Sequence, residues 1–100
     1  MTNEEKFLCL SPTPGKQGTS IPRWKYDLLR ELILELLPAQ APGTLFKDLP
    51  HLISERLDDA QKERLGSVTW HCTTVKLDLE ARGEIERVAK ASPQQLIRKT

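Results

Sequence analysis

The chain is short of the residues that most often announce a chemistry. It has two cysteines, Cys9 and Cys72, and two histidines, His51 and His71. None of these forms a pair with zinc-ligand spacing. His71 and Cys72 are neighbours, so on a helix they point about 100° apart and cannot act as a thiol–imidazole couple. His51 and Cys9 have no third ligand at metal spacing. Metal binding, a bound cofactor and nucleophilic catalysis are therefore not expected, and the chain is not read as an enzyme. So few cysteines fit a reducing compartment better than a disulfide scaffold. No apolar run approaches the ~18–20 residues that span a bilayer. The start, M-T-N-E-E, lacks the basic and apolar regions of a signal peptide. These absences predict a cytoplasmic protein with no membrane partner.

Net charge is also scarce. The formal charge is +1, below what a dedicated DNA-binding domain usually carries. The distribution is uneven. Residues 1–66 hold nine bases against ten acids, and residues 67–100 hold six against four. From Arg87 onward there are four bases and no acid, which predicts a basic C-terminal surface.

What is present is a pattern centred on residues 67–83, S-V-T-W-H-C-T-T-V-K-L-D-L-E-A-R-G. Ser67 reads as an N-cap and Gly83 as the residue that ends a helix. On a helical wheel Val68, Cys72, Val75 and Leu79 form one apolar stripe. Trp70, Leu77 and Ala81 form a second on roughly the opposite side. Two stripes predict a helix packed on both sides, at the centre of the domain. Its polar edges would be Thr69, Thr73, Lys76 and Glu80 on one side and His71, Asp78 and Arg82 on the other. Asp78 and Arg82, four apart, are placed for a helical ion pair.

Around that helix the expected elements run in order. Residues 1–4 should fray. A short strand covers 6–10, and residues 11–20, with two prolines and two glycines, form a loop. Its Pro14-Gly15-Lys16 turn is a weak anion-site candidate, because phosphate-loop spacing is missing. A helix capped at Ser20 or Ile21 should bury Trp24, Leu28, Leu29, Leu32, Ile33 and Leu36 and stop before Pro38. Trp24 and Trp70 are thus read as core, with Tyr26 left open. Residues 44–46 form a minimal strand, and Asp48 caps a helix with Leu49, Leu52, Ile53 and Leu57 inward. Residues 58–66 read as a loop or a ragged turn anchored by Leu65. After Gly83, Ile85–Val88 and Gln95–Arg98 make a hairpin.

That order is α+β and winged helix-turn-helix-like: three helices, a C-terminal β-hairpin wing and a short N-terminal strand. Residues 1–20 would be the N-terminal strand and loop, and 21–100 a single winged-helix-like domain. The runs T-P-G-K at 13–16, W-K-Y-D-L-L-R-E at 24–31, V-K-L-D-L-E-A-R-G-E-I-E-R at 75–87 and S-P-Q-Q-L at 92–96 resemble a family of small uncharacterised bacterial proteins. The resemblance spans roughly residues 7–97. It implies a winged-helix-like fold and no assigned function.

Two functional readings follow. In the first the chain binds double-stranded DNA. Thr69, Thr73 and Lys76 would meet base edges in the major groove, and Arg87, Lys90, Arg98 and Lys99 would lie along phosphates. A homodimer would double the short site that one module covers. In the second the same fold is a protein-interaction module that holds a partner protein by its helix edges or an open strand.

Overall fold

The computed structural model describes residues 5–99; the expectation for residues 1–4 lies outside them. The fold is α+β, with four helices among the described residues and two small antiparallel sheets. Strand β1 (Lys6–Cys9) pairs with β2 (Thr19–Pro22) in a hairpin. Residues 19–22 were expected as loop and helix start. They extend instead because Ile21 is drawn into the core opposite Phe7, and Pro22 cannot continue a ladder beyond the strand end.

Pro22 then stands at the N-cap position of α1 (Arg23–Leu36), which ends at Leu37, ahead of Pro38. Its inward face is Tyr26, Leu29, Leu32 and Ile33. This is rotated from the expected face: Trp24, Leu28 and Leu36 are half-buried, while Tyr26 goes inside. Trp24 is a partly exposed platform, with the Arg64 guanidinium 4.6 Å and the Lys25 ammonium 5.6 Å from its ring centroid.

Strand β3 (Thr44–Leu45) leads through a 3-10 turn (Phe46–Asp48) into α2 (Leu49–Glu55). Next comes α3 (Asp59–Leu65), where a loop or ragged turn was expected. Asp58 and Gln61 form a reciprocal capping box. The Asp58 carboxylate accepts from the Gln61 N–H at 2.7 Å, and the Gln61 side chain accepts from the Asp58 N–H at 3.0 Å. Leu65, fully buried, anchors the turn.

After Gly66 and Ser67, α4 (Val68–Arg82) begins. Ser67 Oγ accepts from the Trp70 N–H at 3.1 Å, and Gly83 ends the helix at φ 78°, a conformation glycine adopts without a Cβ penalty. Strands β4 (Ile85–Arg87) and β5 (Gln95–Arg98) close the chain. The three-stranded sheet has the order β3-β5-β4, with Ile85 opposite Arg98 and Thr44 opposite Leu96. Gly43 is where the chain crosses β5: a Cβ there would lie 2.5 Å from the Leu96 carbonyl oxygen.

The central position expected for α4 is met, since α1, α2, α3, β1 and β4 all pack on it. The reason differs from the one expected. Cys72, Val75 and Leu79 are fully buried, as the first stripe requires. The second stripe is not packed: Trp70 is 49% exposed, Leu77 half-buried and Ala81 exposed. The extra packing comes from two charged residues flanking the first stripe, Lys76 (2% exposed) and Asp78 (0%). Hydrophobicity alone could not forecast that, because each is buried by a specific partner.

Candidate interaction surface

Asp78 is held between the N-terminal hairpin and α1. Its carboxylate accepts from the Tyr26 hydroxyl (2.6 Å), the Leu10 backbone N–H (2.8 Å) and Arg82 Nε (2.9 Å). Arg82 also donates to the Leu8 carbonyl at 3.2 Å. The expected Asp78–Arg82 pair is therefore present, and it also caps the free edge of β1. Phe7 stacks on Tyr26 at 3.9 Å between centroids, and the Arg82 guanidinium lies 4.9 Å from the Phe7 ring. Burial, then the bond to Asp78, pushes the Tyr26 phenol well above its usual range. Burial first, and Asp78 next, pushes the Cys9 thiol up to about 11. Burial pushes the Cys72 thiol up to about 12. Both cysteines are free and buried, and at neutral pH both stay protonated and poor as nucleophiles.

On the other flank Lys76 Nζ sits 2.7 Å from Glu80 Oε1 and 4.5 Å from the Phe46 ring centroid. The ion pair is close but angled, so Glu80 Oε1 has no aligned hydrogen bond. Glu80 Oε2 accepts from Arg87 Nε at 2.8 Å. The structure thus brings together two of the seven candidate DNA-contacting residues, Lys76 and Arg87, but on a shared carboxylate. Lys76 is a correction: an exposed edge was expected, and the ammonium is packed under Phe46 out of reach of any groove.

The remaining candidates fall in three separate places. Thr69 is exposed and Thr73 half-buried, both on α4. Lys90 is exposed in the turn between β4 and β5, with φ 62°. Arg98 points the other way: its Nε donates to the Leu37 carbonyl at 2.8 Å, and it borders a cleft with Asp27, Arg30, Glu31, Leu34 and Glu35. Arg30 is itself bound to Glu84, which lines a neighbouring recess with Arg98 and Lys99. The C-terminal run is free of acids in sequence but meets acids from Glu80, Glu84 and α1 in space.

Between the exposed Thr69 and Arg82, α4 presents to solvent an uncharged arc of Trp70, Thr73, Thr74, Leu77 and Ala81. Leu77 and Thr74 also line a cleft of about 300 Å³ against residues 9–19, with Leu10, Ser11, Thr13 and Lys16 opposite. Leu10 is 38% exposed and Leu8 52%. With Trp70 these are the large apolar side chains exposed among the described residues, and Leu10 and Leu77 share one cleft. Clustered exposed apolar groups mark interaction surfaces. This surface was missed in sequence because its Trp70–Leu77–Ala81 stripe looks the same whether or not a neighbour covers it.

Among the described residues no group of three or more His, Cys, Asp or Glu side chains is placed to hold a metal ion. No helix there is long and apolar enough to cross a membrane. No curated protein and no solved structure matches the chain. One family model does match, over residues 6–96: "Family of unknown function (DUF6958)".

Proposed function

The chain belongs to the DUF6958 family, and from that starting point we propose that it is a winged-helix module that binds a protein rather than DNA, with no catalytic activity. In this reading α3, Gly66-Ser67 and α4 form the helix-turn-helix, α2 is an added helix, and β4–β5 is the wing. The sheet order β3-β5-β4 and the position of α4 before the last hairpin support it. The observation that carries the choice of partner is the exposed face of α4. A helix that reads DNA offers cations and hydrogen-bonding groups to bases and phosphates. Here Lys76 is buried, Arg82 is tied to Asp78, and the outward side chains are Trp70, Leu77, Ala81 and the threonines at 69, 73 and 74, with no free cation among them. Trp is the residue type most enriched among interface anchors.

The test is a titration with mixed-sequence duplex DNA at low and moderate salt. A protein-binding module gives no salt-sensitive binding. Micromolar binding that weakens steeply with salt would overturn the proposal, since that slope counts phosphates neutralised.

A further inference from the structure

We infer that the cleft between α4 and the 10–18 loop binds a small organic acid, with its carboxylate at Lys16 and the loop hydroxyls and its apolar body against Leu10 and Leu77. The local sequence sets the charge of this region. Residues 6–26 hold four bases and no acid. Arg23 is paired with Glu5 and Asp27, and Lys25 donates to the Leu65 carbonyl. Lys16 lines the cleft, and among the described residues its ammonium has neither an ion pair nor a hydrogen bond. The T-P-G-K run fixes where that lysine stands. The Lys16 N–H donates to the Thr13 carbonyl at 3.3 Å, and Gly15 between them has φ 81°. This is the arrangement of a type II turn, with Pro14 in the position that proline favours.

The rest of the lining offers donors and no competing charge. Ser11 Oγ accepts from the Thr13 N–H at 3.2 Å, which leaves its own proton to donate. Thr13, Gln17 and Thr19 line the same cleft, and their side chains have no protein partner among the described residues. No Asp or Glu lines it. Asp78, which holds the Leu10 N–H, is fully buried and already engaged by Tyr26 and Arg82, so it does not compete for Lys16. A carboxylate in the cleft therefore meets one cation and several donors. One ammonium balances one negative charge, and no arginine fork lines the cleft to grip a phosphate dianion. Leu10 and Leu77 add an apolar wall that an inorganic anion would leave wet. The volume of about 300 Å³ lies at the lower end for small-molecule pockets.

The test is a titration of the isotopically labelled intact chain with benzoate at constant ionic strength, followed by amide NMR. The expected result is saturable shifts confined to residues 10–19 and 74–77. The expected dissociation constant is about millimolar, the scale for so small a ligand. Lys16 and Leu10 are exposed, so substitutions there leave the fold in place. Lys16→Gln weakens benzoate about tenfold, the ratio for losing one charge-assisted contact. Leu10→Ser weakens benzoate but not acetate, which has no apolar body to lose contact. Benzyl alcohol, the uncharged counterpart, binds more weakly than benzoate. Shifts that do not saturate, shifts scattered over the surface, or a K16Q variant that binds as tightly as the wild type overturn the inference. Inorganic phosphate binding more tightly than benzoate overturns it too. The inference is independent of protein docking at Trp70, which the duplex DNA titration tests separately.

Discussion

The Tyr26 hydroxyl donates to the buried Asp78 carboxylate over 2.6 Å, from a residue 52 positions away in the chain. Through this bond, and the one from the Leu10 N–H, α1, α4 and the N-terminal hairpin meet at a single carboxylate. Tyr26→Phe leaves Asp78 one donor short in a site without solvent. The expected cost is about 1–3 kcal/mol. Asp78→Ala should cost more, because the Tyr26 hydroxyl and the Leu10 N–H then both lose their acceptor. Urea unfolding of both variants measures the difference; equal stabilities would show that the bond is incidental.

Lys76 gives a second stability prediction. Lys76→Glu would bury a carboxylate against Glu80 and under the Phe46 ring, and it is expected to destabilise by more than ~3 kcal/mol. Lys76→Met should be much milder, since the stem volume is kept and Glu80 retains Arg87. An exposed lysine would give two near-neutral variants, so the thermal melts of the pair decide between the buried and exposed placements.

The thiols predict an alkaline response. The ordinary thiol value is 9.0, and the fold raises Cys9 to about 11 and Cys72 to about 12. The folded state therefore keeps protons that the unfolded chain gives up above pH 9, and the tyrosine at position 26 adds to this at higher pH. Stability from these groups is fully present below pH 9 and is lost as pH rises through the folded values. Melting temperature should hold level from pH 7 to 8.5 and then decline. Native protein at pH 8 should resist a thiol reagent that modifies both cysteines once urea unfolds the chain.

Much of this fold was legible because its signals are local. Ser67 and Gly83 bound α4 with a side-chain cap and a left-handed stop, and Pro38 ends α1. Residues 58–65 carried such a signal too, in the Asp58–Gln61 capping box. It was outweighed by a segment in which only Leu65 is a large apolar residue. The interaction surface was not legible. Wheel geometry assigns Trp70 to a stripe but cannot say that no element arrives to cover it. Nor can it say that Phe46 closes over Lys76, or that Tyr26 and Leu10 converge on Asp78. Those burials depend on contacts between distant parts of the chain, and they reverse the expected roles of α4: two charged positions go inside and a tryptophan stays out.

The central claim is that the outer face of α4 that carries Trp70 docks protein. A photo-reactive p-benzoylphenylalanine in place of Trp70 keeps an aromatic side chain on that face and reports what touches it in the living cell. The account predicts a discrete adduct with a protein. An adduct with nucleic acid, or an adduct pattern that a control at the exposed Lys90 reproduces, would contradict it.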